Sequence, residues 1–148
     1  MPELAWADGP YFFPVTPFDS GGDVDEALAA TLISEGVEAG AGAVFAACGT
    51  GEFHALSLAE HARVTAVAAA AVDGRVPVIA GAGGPLGHAR EAAAAAERAG
   101  AEALLLMPPY LVSGPQAGIV AYVEAVLAAT TLPAIVYHRA NASLTPAS

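Results

Sequence analysis

The chain has 148 residues, 55% of them hydrophobic, and a formal net charge of −10. This length and apolar content are sufficient for one compact domain with a buried core. The acidic balance disfavours nucleic acids and anionic membrane surfaces as partners, because both would repel the chain. Gly, Pro or charged residues interrupt every apolar stretch well before the ~18 residues of a membrane-spanning helix, so we expect no membrane association.

The beginning of the chain and its single thiol indicate a compartment. Residues 1–9 include Glu3 and Asp8 but no basic residue, unlike a secretory signal or a transit peptide. Cys48 is the only cysteine and therefore cannot form an internal disulfide, which suits a reducing environment. We expect a cytoplasmic protein.

Short apolar runs alternate with longer Ala-rich segments, a pattern typical of repeated βα units with a parallel sheet. Near-continuous apolar runs predict strands that are covered on both faces. The predicted strands are Tyr11–Thr16, Ala43–Cys48, Val76–Gly81, Ala103–Met107 and Ala134–Arg139. The order βαβαβαβαβ predicts a single α/β domain over residues 1–148. Periodicity alone leaves open whether it is a doubly wound sheet or part of an eight-fold barrel.

Two of the intervening helices are expected to begin with a capping box, in which a short polar side chain and an acid three residues later exchange hydrogen bonds. Asp23 with Glu26, and Ser57 with Glu60, have this spacing. They predict the starts of the first and second helices.

In both candidate architectures, chemistry is concentrated in the loops at the carboxyl ends of the strands. The second strand is followed by Gly49-Thr50-Gly51-Glu52. Two glycines around a threonine would let successive N–H groups converge on a carboxylate or phosphate, with the threonine hydroxyl as a further donor. A tight connection that needs glycine only for its backbone conformation explains the motif about equally well.

A second glycine-rich loop runs from Gly81 to Gly87 and could be read as a relaxed dinucleotide fingerprint. Such a motif normally follows the first strand, whereas this one follows the third. The next strand also ends in Met107-Pro108-Pro109, without the acid that would hold a ribose hydroxyl. Nucleotide binding is therefore the minor alternative.

The last two strands lead to polar and aromatic side chains. Tyr110 follows the fourth strand, and its packing in a stiff Pro-containing loop is one explanation. On the fifth strand Ile135, Tyr137 and Arg139 share one face, because side chains alternate along a strand. A tyrosine and an arginine projecting together at a strand end are costly to bury without a function, although a hydrogen-bonded core tyrosine also fits.

Together these loops resemble one enzyme family. The stretches FPVTPFD, ACGTGEFHALS, PVIAGAGG, LLLMPPYL and VYHRANA, in this order, are similar to the 5-dehydro-4-deoxyglucarate dehydratases, a branch of the dihydrodipicolinate synthase and N-acetylneuraminate lyase superfamily. The resemblance runs from about Tyr11 to Pro146, and GTGEFHALS is its most specific part. It implies a (β/α)8 barrel, of which this chain would form the truncated N-terminal part, with the first five parallel strands and four helices.

The resemblance also implies a reaction. Superfamily members form a Schiff base between a lysine on the sixth strand and the keto carbon of an α-keto acid, and this branch removes water and CO₂ from a keto-diacid to give 2,5-dioxopentanoate. Tyr137 matches the proton-relaying tyrosine of the fifth strand. The residues expected to bind substrate are Gly49, Thr50, Gly51, Tyr110 and Arg139, of which Arg139 rests mainly on parity and charge. No cofactor is implied, and the intact enzyme is expected to be a homo-oligomer.

Two positions depart from the synthase branch. Gly49 stands where dihydrodipicolinate synthases carry a second hydroxyl residue, and Leu111 where they carry a second tyrosine. Both departures argue against synthase activity and fit a dehydratase. His54, His61, His88 and His138 have no metal-ligand spacing, so we expect no metal site and structural or solvated roles for all four.

Length and composition set the main expectation for activity. A complete barrel needs roughly 250 residues, and all five basic residues of this chain are arginines. Without a lysine the chain alone cannot form the Schiff base, so we expect it to be inactive as a lyase. A synthase-like enzyme of the same superfamily and a non-catalytic anion-binding or assembly fragment remain the alternatives.

Overall fold

The computed structural model describes residues 9–109, 114–139 and 142–145. The strands are β1 (Tyr11–Phe12), β2 (Ala43–Ala46), β3 (Val78–Gly83), β4 (Ala103–Met107) and β5 (Ala134–Val136). The helices are α1 (Glu26–Glu38), α2 (Leu58–Val72), α3 (Leu86–Arg98) and α4 (Gln116–Leu127), and a short 3₁₀ turn, Phe53–Ala55, precedes α2.

The strands form one sheet in the order β1-β2-β3-β4-β5, and every neighbouring pair is parallel. Each strand is connected to the next by a helix. This is the predicted βα alternation. It places the carboxyl ends of all five strands, and the loops that follow them, along one edge of the sheet.

Strand lengths differ from the prediction. β1 ends at Phe12 and β5 at Val136, both earlier than predicted, and each pairs with one neighbour only. The interior strand β2 also ends early, at Ala46, because the next residue, Ala47, has a left-handed backbone conformation. β3 instead runs on to Gly83, which pairs with Met107 of β4. A Cβ on Gly83 would lie 2.6 Å from the Met107 carbonyl oxygen, so this pairing requires glycine.

The two faces of the sheet bury separate apolar clusters, as alternation along each strand requires. Leu104 and Leu106 face outward and pack with Val126 and with the alanines of α3. Ile79 and Leu105 point to the other, inner face. The outer cluster holds the helices on the sheet, and the inner cluster forms the floor beneath the strand-end loops.

The predicted cap of α2 is confirmed: Ser57 accepts from the Glu60 N–H at 3.2 Å, and Glu60 accepts from the Ser57 N–H at 2.8 Å. The predicted cap of α1 is wrong. Asp25 is the N-cap and accepts from the Leu28 N–H at 2.9 Å. Asp23 lies in a preceding turn, where its own N–H donates to the Asp19 carboxylate at 3.0 Å, so its position is set by that turn. Among the helices within the described ranges, none has the length and hydropathy to cross a bilayer.

Candidate functional site

A cavity of about 410 Å³ opens at the carboxyl ends of the strands, within the size range of small-molecule sites. Its lining residues come from four strands or the loops after them: Phe13, Gly49, Thr50, His54, Leu105, Met107, Tyr137 and Arg139. Four residues predicted from the sequence therefore share one cavity. Apolar side chains form part of its wall, and hydroxyl, imidazole and guanidinium groups provide its polar chemistry.

The loop after β2, which lines the cavity, has an unusual backbone conformation. Ala47 and Glu52 both have left-handed conformations, with φ of 48° and 59°, which are uncommon for residues with side chains. The Glu52 N–H donates to the Gly49 carbonyl at 3.2 Å, closing a tight turn. Within the described ranges, neither the Thr50 N–H nor its hydroxyl forms an intramolecular hydrogen bond. Both groups can therefore donate hydrogen bonds to an anion at the cavity wall.

Gly51 has a different position. It is buried, and a Cβ there would lie 3.2 Å from both the Pro14 carbonyl oxygen and the Ala47 Cα. Its carbonyl accepts a 2.7 Å hydrogen bond from the buried Thr16 hydroxyl. A side chain at position 51 would thus point toward the segment after β1. Because Gly51 has none, the loop can pack against that segment.

Gly81 and His61 support the same loop from below. A Cβ on Gly81 would lie 2.3 Å from the Ala47 carbonyl oxygen, so β3 and the β2 loop approach too closely for any other residue. The Gly81 carbonyl lies 2.6 Å from His61 Nε2, which must donate its proton to it. Burial lowers the pKa of His61 below its ordinary value, which favours the neutral ring.

This packing explains the glycines of the second glycine-rich loop. Gly81 and Gly83 lie inside β3, and both are required by close backbone approach. A dinucleotide loop would need them in the turn that follows the strand. Nucleotide binding, the minor alternative left open by the sequence, therefore has no support from this geometry.

Tyr137 and Arg139 enter the cavity from the end of β5. The Tyr137 N–H continues the ladder to β4 by donating to the Leu106 carbonyl at 2.8 Å. Ile135 packs on the inner apolar cluster, and alternation brings Tyr137 and Arg139 to the same face. The Tyr137 side chain is 43% exposed, so it meets the cavity without being enclosed. Tyr110 lies outside the described residues.

Comparison with known proteins assigns this arrangement to a family. The model of the Dihydrodipicolinate synthetase family matches residues 8–148. The chain belongs to this family. It is also 53% identical over 145 residues to a probable 5-dehydro-4-deoxyglucarate dehydratase 1 of Streptomyces coelicolor, and 51% identical over 138 residues to a probable 5-dehydro-4-deoxyglucarate dehydratase of Streptomyces griseus. The resemblance found in the sequence is confirmed.

The matches cover nearly all of this chain but less than half of each relative. They span 98% of the chain and 46% of the S. coelicolor protein, and 93% of the chain and 43% of the S. griseus protein. This dihydrodipicolinate synthetase family chain thus corresponds to somewhat under half the length of these relatives.

Solved structures of the family have the same fold. A dihydrodipicolinate synthase from Agrobacterium tumefaciens matches with a TM-score of 0.85 at 31% identity, covering 95% of this chain and 48% of its own. YagE, a prophage protein from E. coli K12 in complex with pyruvate, matches with a TM-score of 0.82 at 30% identity, covering 89% and 45%. The five strands and four helices are therefore part of a (β/α)8 barrel, and the doubly wound alternative is excluded.

Four lining residues were not among the predicted site residues: Phe13, His54, Leu105 and Met107. Leu105 and Met107 belong to β4, which was predicted as a strand. Phe13 stacks on Phe45 with ring centroids 4.4 Å apart, and His54 lies on the 3₁₀ turn after the Thr50 loop. Phe13 could have been found from its place at the end of the first strand. His54 lies within GTGEFHALS, but its neighbours give no chemical signal.

Other reactive groups do not belong to the cavity. Cys48 is buried, and burial raises the pKa of its thiol, which opposes the thiolate that a nucleophile needs. In the part of the chain that the structure describes, no group of three or more His, Cys, Asp or Glu side chains could hold a metal ion.

Proposed function

We propose that this chain supplies the substrate-recognition part of a 5-dehydro-4-deoxyglucarate dehydratase. The observation that carries the proposal is the shared cavity of Gly49, Thr50, Tyr137 and Arg139 at the strand ends. The names of the relatives supply the dehydration of 5-dehydro-4-deoxyglucarate, and the family resemblance adds loss of CO₂ from this six-carbon keto-diacid to leave 2,5-dioxopentanoate. Its balance needs no external oxidant or reductant.

The roles follow from the chemistry of each group. The Thr50 hydroxyl and N–H, presented by the strained loop, bind the carboxylate beside the keto carbon. The Tyr137 hydroxyl transfers a proton near that carbon, as a positioned general acid or base. The Arg139 guanidinium binds the second carboxylate in a bidentate geometry. From the sequence resemblance we also propose Tyr110 as a substrate-binding residue.

Covalent chemistry requires a group that this chain does not contain. A protonated imine would draw electrons from the adjacent carbon and make its hydrogen acidic, but all five basic residues here are arginines. We therefore assign recognition to this chain and the Schiff-base lysine to a further part of the barrel. In the intact enzyme we expect a homo-oligomer in the cytoplasm.

The recognition role is tested by calorimetric titration of the purified chain with 2-oxoglutarate, a stable keto-diacid. We expect saturable binding that Thr50→Val weakens about tenfold, the loss of one charge-assisted hydrogen bond of about 1.5 kcal/mol. Thr31→Val is the matched control, because Thr31 is exposed on α1, far along the chain from the loop. An unchanged affinity in Thr50→Val would contradict the assigned carboxylate site.

The missing chemistry is tested by borohydride trapping. Incubation of the chain with pyruvate or 2-oxoglutarate and borohydride should leave every side chain unmodified, since no lysine amine is available to form an imine. A stable adduct on a side chain, located by peptide mass mapping, would overturn this part of the proposal. Addition of a C-terminal fragment of the S. coelicolor relative tests whether a complementary half restores trapping on that fragment.

A further inference from the structure

His54 is a cavity residue with no role in the proposed reaction. It lies on the 3₁₀ turn Phe53–Ala55, directly after the loop that carries Thr50. The turn is tied to this loop because the Phe53 N–H donates to the Cys48 carbonyl at 3.1 Å. The side chain of His54 is therefore presented to the cavity by the same rigid segment as Thr50.

The orientation of the imidazole is supported by a buried neighbour. The Phe53 ring is 2% exposed, and the His54 ring stands nearly perpendicular to it, with centroids 5.2 Å apart. Edge-to-face packing of this kind favours one ring orientation. His54 also borders a second, smaller cavity with His88 and Pro85, so this residue contributes to the lining of both cavities.

The electrostatics of the main cavity contrast with those of the whole chain. The chain carries a formal charge of −10, yet the described lining of the cavity includes Arg139 and His54 and no carboxylate. A cavity that presents a guanidinium and an imidazole as N–H donors, with no carboxylate in its described lining, favours anions locally in an otherwise acidic chain. Two donor groups beyond the Thr50 site leave room for a second carboxylate.

We propose that His54 is a specificity-determining residue, whose imidazole contacts the second carboxylate of a keto-diacid together with Arg139 and so selects dicarboxylates over monocarboxylates. The inference rests on the proposed function, because it takes the first carboxylate to be held at Thr50. It assigns His54 to binding and leaves proton transfer to Tyr137.

The test compares two acids that differ in the second carboxylate, 2-oxoglutarate and pyruvate, by calorimetric titration of the purified chain. His54→Leu should weaken 2-oxoglutarate binding about three- to tenfold and change pyruvate binding less than twofold, the range expected for loss of one hydrogen bond to a charged group. His54→Arg, which supplies N–H donors at the same position, should retain most of the preference for the dicarboxylate. Thr50→Val should instead weaken both acids alike.

Thr31→Val serves as the control, because Thr31 is exposed on α1 and lines neither cavity, and it should leave both affinities unchanged. Equal losses for the two acids in His54→Leu would show that His54 only supports the loop, and unchanged affinities would show that it does not contact the ligand. Either result overturns this inference alone. Failure of the unsubstituted chain to bind either acid would overturn the proposed carboxylate recognition and this inference with it.

Discussion

The two sides of the cavity differ in how much support this chain gives them. The β2 side, defined by Gly49, Thr50 and His54, follows a strand that is buried at every residue and paired on both edges. The β5 side, defined by Tyr137 and Arg139, follows a strand that pairs only with β4 and is half-buried throughout. The same sheet thus carries one wall that follows a buried interior strand and one wall that follows a half-buried edge strand.

This difference shows which parts of the cavity are supported by contacts within this chain. The β2 side is held by contacts made within the described residues, including the Thr16 hydrogen bond and the close approach of Gly81. The β5 side forms an edge, and in a (β/α)8 barrel the strand beyond it is the sixth. The proposed carboxylate-binding side at β2 is therefore supported by more contacts within the described residues than the proposed acid-base side at β5.

The largest expected effect comes from a matched pair of isoleucines on the inner face. Ile79 in β3 is fully buried, whereas Ile135 in β5 is partly exposed. Ile79→Ala should lower the free energy of unfolding by about 2–5 kcal/mol, and Ile135→Ala by roughly half as much, in proportion to the apolar area it buries. Urea denaturation followed by circular dichroism measures both.

Equal losses for the two variants would break the comparison. They would mean that Ile135 is as well packed in solution as Ile79, for example because a second copy of the chain covers β5. Sedimentation at several concentrations would then show association.

The second effect concerns the support beneath the Thr50 loop. Gly81→Ala would place a Cβ 2.3 Å from the Ala47 carbonyl oxygen, so the loop or β3 must shift, at a cost of about 1–3 kcal/mol. Gly87→Ala is the matched control in α3, where no atom lies within 4 Å of the added Cβ. It should stabilise the helix by about 0.5–1 kcal/mol.

The same urea titration separates the two glycines. A Gly81→Ala midpoint at or above that of the unsubstituted chain would show that the β2 side is less rigid than its contacts indicate. The β2 side would then not be better supported than the β5 side.

Much of the fold was predictable because its signals are local. Strand β4 was predicted with its observed bounds, since its neighbours on both sides extend the ladder along its length. The ends of β1 and β5 were not, because the end of an edge strand depends on a partner that the local sequence does not specify. The cap of α1 was misplaced for a similar reason, as the turn at Asp19 shifts the helix start to Asp25.

The residues of the candidate site show the same contrast between local sequence signals, which could be read, and distant contacts, which could not. Thr50, Tyr137 and Arg139 could be placed because position after a strand and side-chain alternation determine which edge and face they occupy. Gly51 could not be separated from an anion-binding role, since the contacts that explain it come from Pro14 and Ala47. His54 was missed because its place in the cavity depends on the 3₁₀ turn, which has no periodic signal.

The smallest expected effect is a change in pH dependence that again separates the two sides. Burial keeps the pKa of His61 below 6.5, and the nearby His88 lowers it further, so the unfolded chain takes up this proton at a higher pH than the folded chain. The contribution of His61 to stability is therefore constant above about pH 6.5 and is lost as the pH falls below it.

His61→Gln can still donate to the Gly81 carbonyl but does not titrate, so its free energy of unfolding should fall less between pH 7 and pH 5. His138→Gln removes an exposed imidazole beside β5 and should keep the original slope. Equal slopes for all three chains, measured by urea titration at each pH, would show that His61 does not stay neutral beneath the Thr50 loop.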